Sequence, residues 1–465
     1  MAACLILQAA GFVHAENDSD KYSFTCIYLE QSQALSVSMS LLYTNNTDTS
    51  LSYVEFGVYA NCLRRETTIP YDNATLETAF EYGYAPSGIE FTSVKFNSEP
   101  AQYGFEGDNE AFMRVECALL PGETGEFRFE YTLLLSANRA FQGVGEDIRL
   151  CMFYPSACVY DDGFITNAAS GAGRFLYAEN ADFELTLYLP RDYTPALYGI
   201  KNMGEYGAYT KWHASYLSAN ELAFTVGKRY LLKSEDNINV YGSEKGDVKK
   251  ALTYALQAVK YYEGLFGSLP FGGCDIVFSD SALSYSYPGL IILGSDSDED
   301  LHLSVYALLA RQYIGCALVS DPATDPFLIS GVNEYLALLC AKSIDGDAAF
   351  ESLLTKRLLP ALKVTIPGIL TPDSYLTRFT SVSEYDTVVT KRGAAVLNEL
   401  SQAMGGDKIE TAFKLYYEKG AGRLNTIEDF VLALDEASGK SMGEALIAWL
   451  YTIDEYALSQ SDIYD

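Results

Sequence analysis

Leu301-His302-Leu303-Ser304-Val305-Tyr306-Ala307-Leu308-Leu309-Ala310-Arg311-Gln312-Tyr313-Ile314-Gly315 is apolar nearly all round a helical wheel, with Arg311 set among Leu303, Val305, Leu308, Leu309 and Ile314. A helix of that kind has no face to show to water and belongs in a core. A guanidinium keeps its proton at any working pH, so an arginine carried into a core needs an acceptor or a counter-charge. Two readings stay open for Arg311: it fills interior space, or it receives a ligand carboxylate such as a peptide C-terminus.

The surroundings of this stretch are helical as well. Val248, Leu252, Ala255, Val259 and Tyr262 form a stripe at helical spacing, and further helices are expected over 327–343, 385–403, 408–418 and 426–436. Gly405-Gly406 ends one helix and Asp407 is placed to cap the next, while Thr426 caps the last with Glu428 and Asp429 in its first turn. Short strands, Cys274–Phe278 and Leu290–Leu293, flank Tyr287-Pro288-Gly289. Toward the N-terminus the period changes from helical to two. Leu35, Val37, Met39 and Leu41 alternate with serines, and the sets Phe127, Phe129, Tyr131, Leu133 and Phe183, Leu185, Leu187, Leu189 repeat the pattern. Alternation means one buried and one wet face. Polar turns such as Thr44-Asn45-Asn46-Thr47 and Pro121-Gly122-Glu123 separate the runs. The expected fold is α+β: an antiparallel β-sandwich or saddle over residues 16–235, then a mostly helical domain with a small sheet over 236–465.

The 465 residues carry a formal net charge of −30, and 49% are hydrophobic. Such a charge repels phosphate backbones and anionic lipid, which excludes nucleic acid as a partner. The nearly uninterrupted apolar run Ala2 to Val13, followed by Val13-His14-Ala15, reads as a signal peptide over residues 1–15, so the chain is expected to be exported and extracellular or surface-associated. Eight cysteines follow that segment with no CxxC pair, so a zinc ribbon or thioredoxin-type site has no support. Cys151 and Cys158 could bridge in an exported protein; buried thiols are expected for most of the others.

Several blocks of the helical half, in order, resemble the aminopeptidase N family of gluzincin zinc metallopeptidases. Tyr261-Tyr262-Glu263-Gly264-Leu265-Phe266-Gly267 with Pro270-Phe271 is similar to the helix before that family's catalytic sheet. Ser286-Tyr287-Pro288-Gly289-Leu290 resembles its substrate-binding edge strand, and Ala310-Arg311-Gln312-Tyr313-Ile314-Gly315 the end of HExxHQWFG. Gly331 with Glu334-Tyr335-Leu336-Ala337 resembles NEGFAEYLA, Lys391-Arg392-Gly393-Ala394 the YxKGA block, and Ile427-Glu428-Asp429-Phe430 to Trp449-Leu450 the domain's ending. Tyr154-Pro155 and Val159-Tyr160-Asp161 match the sandwich more loosely. The resemblance implies a thermolysin-like peptidase domain.

It also implies a set of catalytic positions, and here their chemistry is missing. Ala307 stands for the first histidine of HExxH, Leu308 for the general base, Arg311 for the second histidine, and Ser330, 19 residues on, for the glutamate ligand. Ser286 stands for the glutamate that holds the substrate's amino group, and Thr390 for the oxyanion-stabilising tyrosine. Two histidines four apart are needed to face one metal from one helix side. The chain has only His14, His213 and His302, so no register shift restores the motif. His302 follows the acidic run Asp296-Ser297-Asp298-Glu299-Asp300 and reads as a helix start rather than a displaced metal site; His213, beside Trp212, reads as a strand residue.

The expectation is therefore a pseudopeptidase without metal or other cofactor. It would bind a peptide or protein partner in the former cleft, through Tyr285, Ser286, Tyr287, Arg311, Asn333 and Glu334. The edge strand near Tyr285 to Leu290 could pair with an extended peptide. The alternatives are a structural or assembly subunit using an outer face, which a filled cleft would favour, and an active metallopeptidase with unorthodox ligands. Ala307 and Arg311 share one helix face and Ser330 and Glu334 another, which predicts an Arg311–Glu334 ion pair in the former metal site.

Overall fold

In a computed structural model, which describes residues 19–297, 300–364, 370–405 and 407–450, the period-two segments pair into an eight-stranded sheet. Its order is Lys201–Tyr206, Tyr209–Ala219, Ala181–Pro190, Lys21–Leu29, Ala34–Thr44, Thr124–Leu134, Gly88–Phe96 and Glu99–Pro100. Along Ala181–Pro190 buried and half-buried residues alternate without a break, as a sheet with one face on a core requires. Neighbours are antiparallel except that Lys21–Leu29 runs parallel to Ala181–Pro190, joining the beginning of the domain to its far end. A second sheet, Ser156–Ala157, Leu51–Gly57, Phe112–Leu119 and Tyr103–Glu106, closes over the first. Phe56 crosses the gap and meets Phe127 and Phe129 edge-on, with ring centroids at 5.3 and 5.2 Å.

The second domain is built on a five-stranded sheet in the order Leu231–Glu235, Ile238–Gly242, Cys274–Phe278, Leu290–Leu293 and Tyr285–Tyr287. Cys274–Phe278 and Leu290–Leu293 take the bounds expected of them. The sheet begins earlier than the 235/236 division suggests. Leu231–Glu235 folds back on Ile238–Gly242 through the two residues Asp236 and Asn237, with Asp236 at φ 52°, so the hairpin belongs to this sheet as a unit. Leu231–Glu235 is exposed throughout, and its composition lacks the alternation that identifies the sandwich strands.

Lys245–Phe266 and Leu301–Tyr313 pack on this sheet, Gly331–Asp345 packs against both of those helices, and Gly393–Met404, Lys408–Gly420 and Ile427–Ser438 complete the helical layer. Leu301–Tyr313 lies in the core as its composition demands, and Tyr262 Oη donates to the Tyr306 carbonyl at 2.9 Å to tie it to the long helix beside it. Thr426 and Asp429 form a reciprocal capping box at the start of the last helix. Pro326–Asp345 is long and apolar enough to cross a membrane by length and composition, yet 83% of its apolar window is buried inside the protein.

Two segments depart from expectation. The single helix expected over 385–403 is three pieces: Val382–Tyr385, a wide π-helical stretch Asp386–Arg392, and Gly393–Met404. Asp347–Lys363, for which no element was expected, is helical with a second π-helical stretch at Leu354–Leu358. Such wide turns cluster where a helix is bent to serve a site. The signal segment expected at 1–15 lies outside the described residues. Cys151 and Cys158 are buried free thiols, and no bridge joins them.

The domains are clamped together by charge. Arg149, fully buried in the strand Ile148–Leu150, donates to Asp147 Oδ1 at 2.9 Å and across the junction to Asp280 Oδ1 at 2.6 Å. Ser279 Oγ donates to the same Asp147 at 2.7 Å. Nearby, Asp275 is a buried carboxyl that accepts from Asn239 Nδ2 at 2.8 Å, and burial lifts it to about 7. A carboxyl whose folded value is raised stabilises the fold fully at acid pH, and that contribution is lost as pH rises from the ordinary carboxylate range through about 7. Asp275→Asn, which keeps the acceptor and removes the charge, is expected to melt higher than the native chain at pH 8, with the gap closing toward pH 5. Thermal unfolding across that range checks it; a variant equally destabilised at both ends overturns the assignment.

Candidate functional site

At the junction of the two domains lies a cavity of about 190 Å³. Its floor comes from the second domain: the edge strand Tyr285–Tyr287, the end of the helix Leu301–Tyr313, and Ser330. The first domain supplies the roof with Tyr71, Phe141 and the loop Ser170–Phe175, and the π-helical stretch Asp386–Arg392 closes one side with Asp386 and Thr390. Gly173 is required in that roof, because a Cβ there would stand 2.8 Å from the ring of Tyr385.

The structure gathers Tyr285, Ser286, Tyr287, Arg311, Ser330 and Thr390 around this cavity. Leu308 is buried in the helical core and Ala307 packs against that core. Asn333 and Glu334 do not line the cavity. Asn333 is a brace, with Nδ2 donating to the carbonyls of Ile314 at 2.7 Å and Ile329 at 2.6 Å. Glu334 is buried and bound by Arg357, whose Nε contacts Oε1 and whose Nη2 reaches Oε2 at 3.3 Å.

The expected Arg311–Glu334 pair is therefore not formed. Helical spacing correctly places Ser330 and Glu334 on one face, but Arg357 arrives from the π-helical stretch Leu354–Leu358 and takes the carboxylate. Arg311 instead donates through Nη2 to Ser330 Oγ at 3.3 Å, and that hydroxyl also meets Tyr385 Oη at 2.8 Å. The Arg311 Nε is sealed from solvent without a partner, and among the described residues no carboxylate pairs with this guanidinium. Burial, partly offset by Tyr385 and reinforced by the neighbouring charge of Arg174, pulls its pKa down from the ordinary arginine value.

Sequence reasoning missed Arg174 and Tyr385, which sit in a loop and in the short helix before the π-helical stretch and belong to no motif. Arg174 binds buried Glu221 and donates through Nη1 to the Ser286 carbonyl at 3.2 Å. This alters the expectation for the edge strand: the Ser286 carbonyl, which an added peptide strand would use, is already taken. The Ser286 side chain is equally engaged, donating to the Leu308 carbonyl at 3.0 Å and accepting from Gln312 Nε2 at 2.8 Å. Gln312 also donates to the Tyr287 carbonyl at 2.9 Å and accepts from Gly289 N–H at 3.0 Å, locking the strand to the helix. His302 meets the ring of Tyr254 at a tilt and that of Tyr306 edge-on, and His213 pairs with Glu184 on the sandwich; neither lines the cavity.

No family model matches the sequence, and no curated protein sequence does. Solved structures do match. An M1 zinc metallopeptidase from Deinococcus radiodurans aligns with TM-score 0.64 at 14% identity over 93% of each chain. A mutant M1 enzyme from the same organism, bound to a Tyr-Ser-Ala substrate, aligns with TM-score 0.63 at 15% identity over 93% of each chain. A two-domain M1 zinc metallopeptidase mutant bound to L-tryptophan gives 0.62 at 15% identity, covering 93% of this chain and 95% of that one. The chain thus has the two-domain fold of the M1 zinc metallopeptidases.

The residues present do not fit the zinc ion that this fold implies. Zinc takes thiolate, imidazole or carboxylate donors. Here the positions that the sequence resemblance assigns to the ligands hold a methyl group at Ala307, a guanidinium at Arg311 and, at Ser330, a hydroxyl already held by Arg311 and Tyr385. Among the described residues no three of His, Cys, Asp and Glu gather into a donor set.

Two energetic consequences follow for the arginines. Arg357→Met, which strands the Glu334 carboxylate, should cost ~3 kcal/mol, the low end for breaking a buried pair, since Arg357 keeps 27% of its side chain exposed. Adding Glu334→Gln should recover most of that loss. Arg311→Met should leave stability unchanged or raise it, because it removes a charge that has no described counter-ion. The effects of Arg311→Met and Glu334→Gln should add. Denaturant unfolding of these variants is the measurement, and strong coupling between positions 311 and 334 would contradict the assignment.

Proposed function

We propose that this chain is a non-hydrolysing member of its fold class that binds a peptide or protein partner in the former active-site cleft. One observation carries the reading: the cleft keeps an open cavity whose floor presents Arg311, a charged group that the described residues leave without a counter-charge. A buried unbalanced charge is unfavourable in the free protein and is relieved by a ligand of opposite sign. The open cavity favours this reading over that of an assembly subunit with a filled cleft. The absence of a catalytic role rests on chemistry. Hydrolysis in this fold class uses a metal-activated water, and a guanidinium neither activates water nor accepts its proton.

The purified chain is expected to hold no stoichiometric zinc and to leave amino-acid anilides uncleaved, and Leu308→Glu alone is expected to leave it so, because a general base without a metal-bound water has nothing to activate. Elemental analysis with an anilide assay, with and without chelator, tests this. Chelator-sensitive turnover by the native chain would sink it. The binding half is tested by calorimetry against a peptide library.

A further inference from the structure

Resting on the binding reading above, we propose that the cavity takes a single apolar residue with its carboxylate inward, against Arg311, and its positively charged neighbour or amino group outward, at Asp296. The ligand is thus a free apolar amino acid or the C-terminal residue of a peptide.

The inner end is cationic by one charge. Arg174 and Arg311 both line the cavity, but Arg174 is balanced by Glu221, so the surplus belongs to Arg311. One surplus charge matches a monoanion. A phosphate group, carrying close to two negative charges, would exceed it and would meet acidic groups on the way in. The planar fork of a guanidinium suits a carboxylate, and the Ser330–Tyr385 hydroxyl pair beside it, bonded to each other, keeps one O–H as a further donor. The outer end is acidic. Asp296 lines the cavity and is exposed, with Ser284 Oγ donating to it, so it faces whatever enters. Asp386, on the same side, is already held by Lys391 Nζ at 2.5 Å, which leaves Asp296 as the freer charge.

Size and walls define the middle. The volume is about 190 Å³, against roughly 150 Å³ for a cavity that holds one benzene ring. That is room for one residue and no more. Met152, Phe141, Phe175 and Tyr285 give it apolar and aromatic sides. An extended peptide lying across the edge strand is disfavoured by the same geometry, since Arg174 holds the Ser286 carbonyl. The strand itself spaces the two ends: Tyr287 feels the charge of Arg174 and lies toward the cationic end, whereas Tyr285 lies toward Asp296. Two strand residues span ~6.6 Å, the length of two extended residues, so a C-terminal carboxylate at one end leaves the preceding residue at the other.

The test is calorimetric titration of the full native chain at low salt with acetyl-Ala-Lys-Phe, its C-terminal amide, acetyl-Ala-Glu-Phe and free phenylalanine. The acid should bind about tenfold or more tightly than the amide, the value of a charge-assisted contact. Lysine should be preferred to glutamate by roughly threefold, as a rim ion pair allows. Arg311→Met should abolish the acid-over-amide difference, and Asp296→Asn the lysine preference. If Arg311→Met does not fold, Arg311→Lys, which keeps the charge but loses the fork, should shrink the difference. Tighter binding of free phenylalanine than of the peptide acid, or the reverse, supports the inference in either case and identifies the source. Equal binding of acid and amide overturns the carboxylate-inward polarity and leaves the binding reading standing. Binding of none of the four, and of no member of the peptide library, overturns both.

Discussion

A guanidinium cannot give up its proton, so every arginine taken out of water must find acceptors, and that constraint organises the centre of this molecule. Arg149 meets it with Asp147 and Asp280, and in doing so joins the sandwich to the second domain. Arg174 meets it with Glu221 and the Ser286 carbonyl, and thereby ties the roof loop to the edge strand. Arg392 meets it with the carbonyls of Ala361 and Val364, holding the π-helical stretch against the segment before it. Arg357 meets it with Glu334. Arg311 is satisfied least, by one hydroxyl, and it is also the one on the cavity floor. Inter-domain attachment and the polarity of the cleft thus come from one requirement met well in several places and incompletely in one.

The parts of this architecture set by local periodicity were legible in the sequence. Phe183, Leu185, Leu187 and Leu189 all point into the sandwich core, and Cys274–Phe278 and Leu290–Leu293 have the expected bounds, because a half-buried strand or a fully buried one leaves its pattern on consecutive residues. Leu231–Glu235 left no such pattern: it is an exposed edge strand held by backbone pairing alone, so nothing in its side chains distinguishes it from a loop. The π-helical stretches were illegible for a related reason, since inserting one residue into a turn changes the phase of a helix without changing its composition.

The site was half legible. Block order brought Tyr285, Ser286, Tyr287, Arg311, Ser330 and Thr390 to one cavity. Partner choice was not readable. Spacing along one helix says which residues share a face, and it placed Glu334 one turn beyond Ser330. It says nothing about which charge from another element arrives first. Arg357, 23 residues beyond Glu334, carries no motif that would announce it. Arg174 escaped for the same reason, being a loop residue whose acceptor lies 47 positions away. Long-range charge pairing depends on tertiary placement, and single-sequence reasoning reaches it only where a resemblance supplies the geometry.

At the position that the resemblance assigns to the metal, the proposed reading can be followed as charge. In the fold class that this chain resembles, a zinc ion with two neutral imidazoles and one carboxylate leaves the site with a net charge of about plus one. Arg311 with Ser330 leaves it at plus one as well. On the proposed reading, the attraction for an anionic or electron-rich ligand group is kept, while the property peculiar to a metal, lowering the pKa of a bound water, is not. A guanidinium also differs from a metal ion in being covalently tied to its helix, so the charge cannot be lost to a chelator and its direction is fixed by the backbone. Gln312, the next residue on that helix, is locked to the edge strand through Ser286, Tyr287 and Gly289, which holds the register of Arg311 against the cavity. The same lock uses up the Ser286 hydroxyl and the Tyr287 carbonyl, and Arg174 takes the Ser286 carbonyl. Groups with which an edge strand could grip an extended chain are internal struts here, and in the proposed binding mode recognition falls to Arg311 on the cavity floor and Asp296 at the outer end.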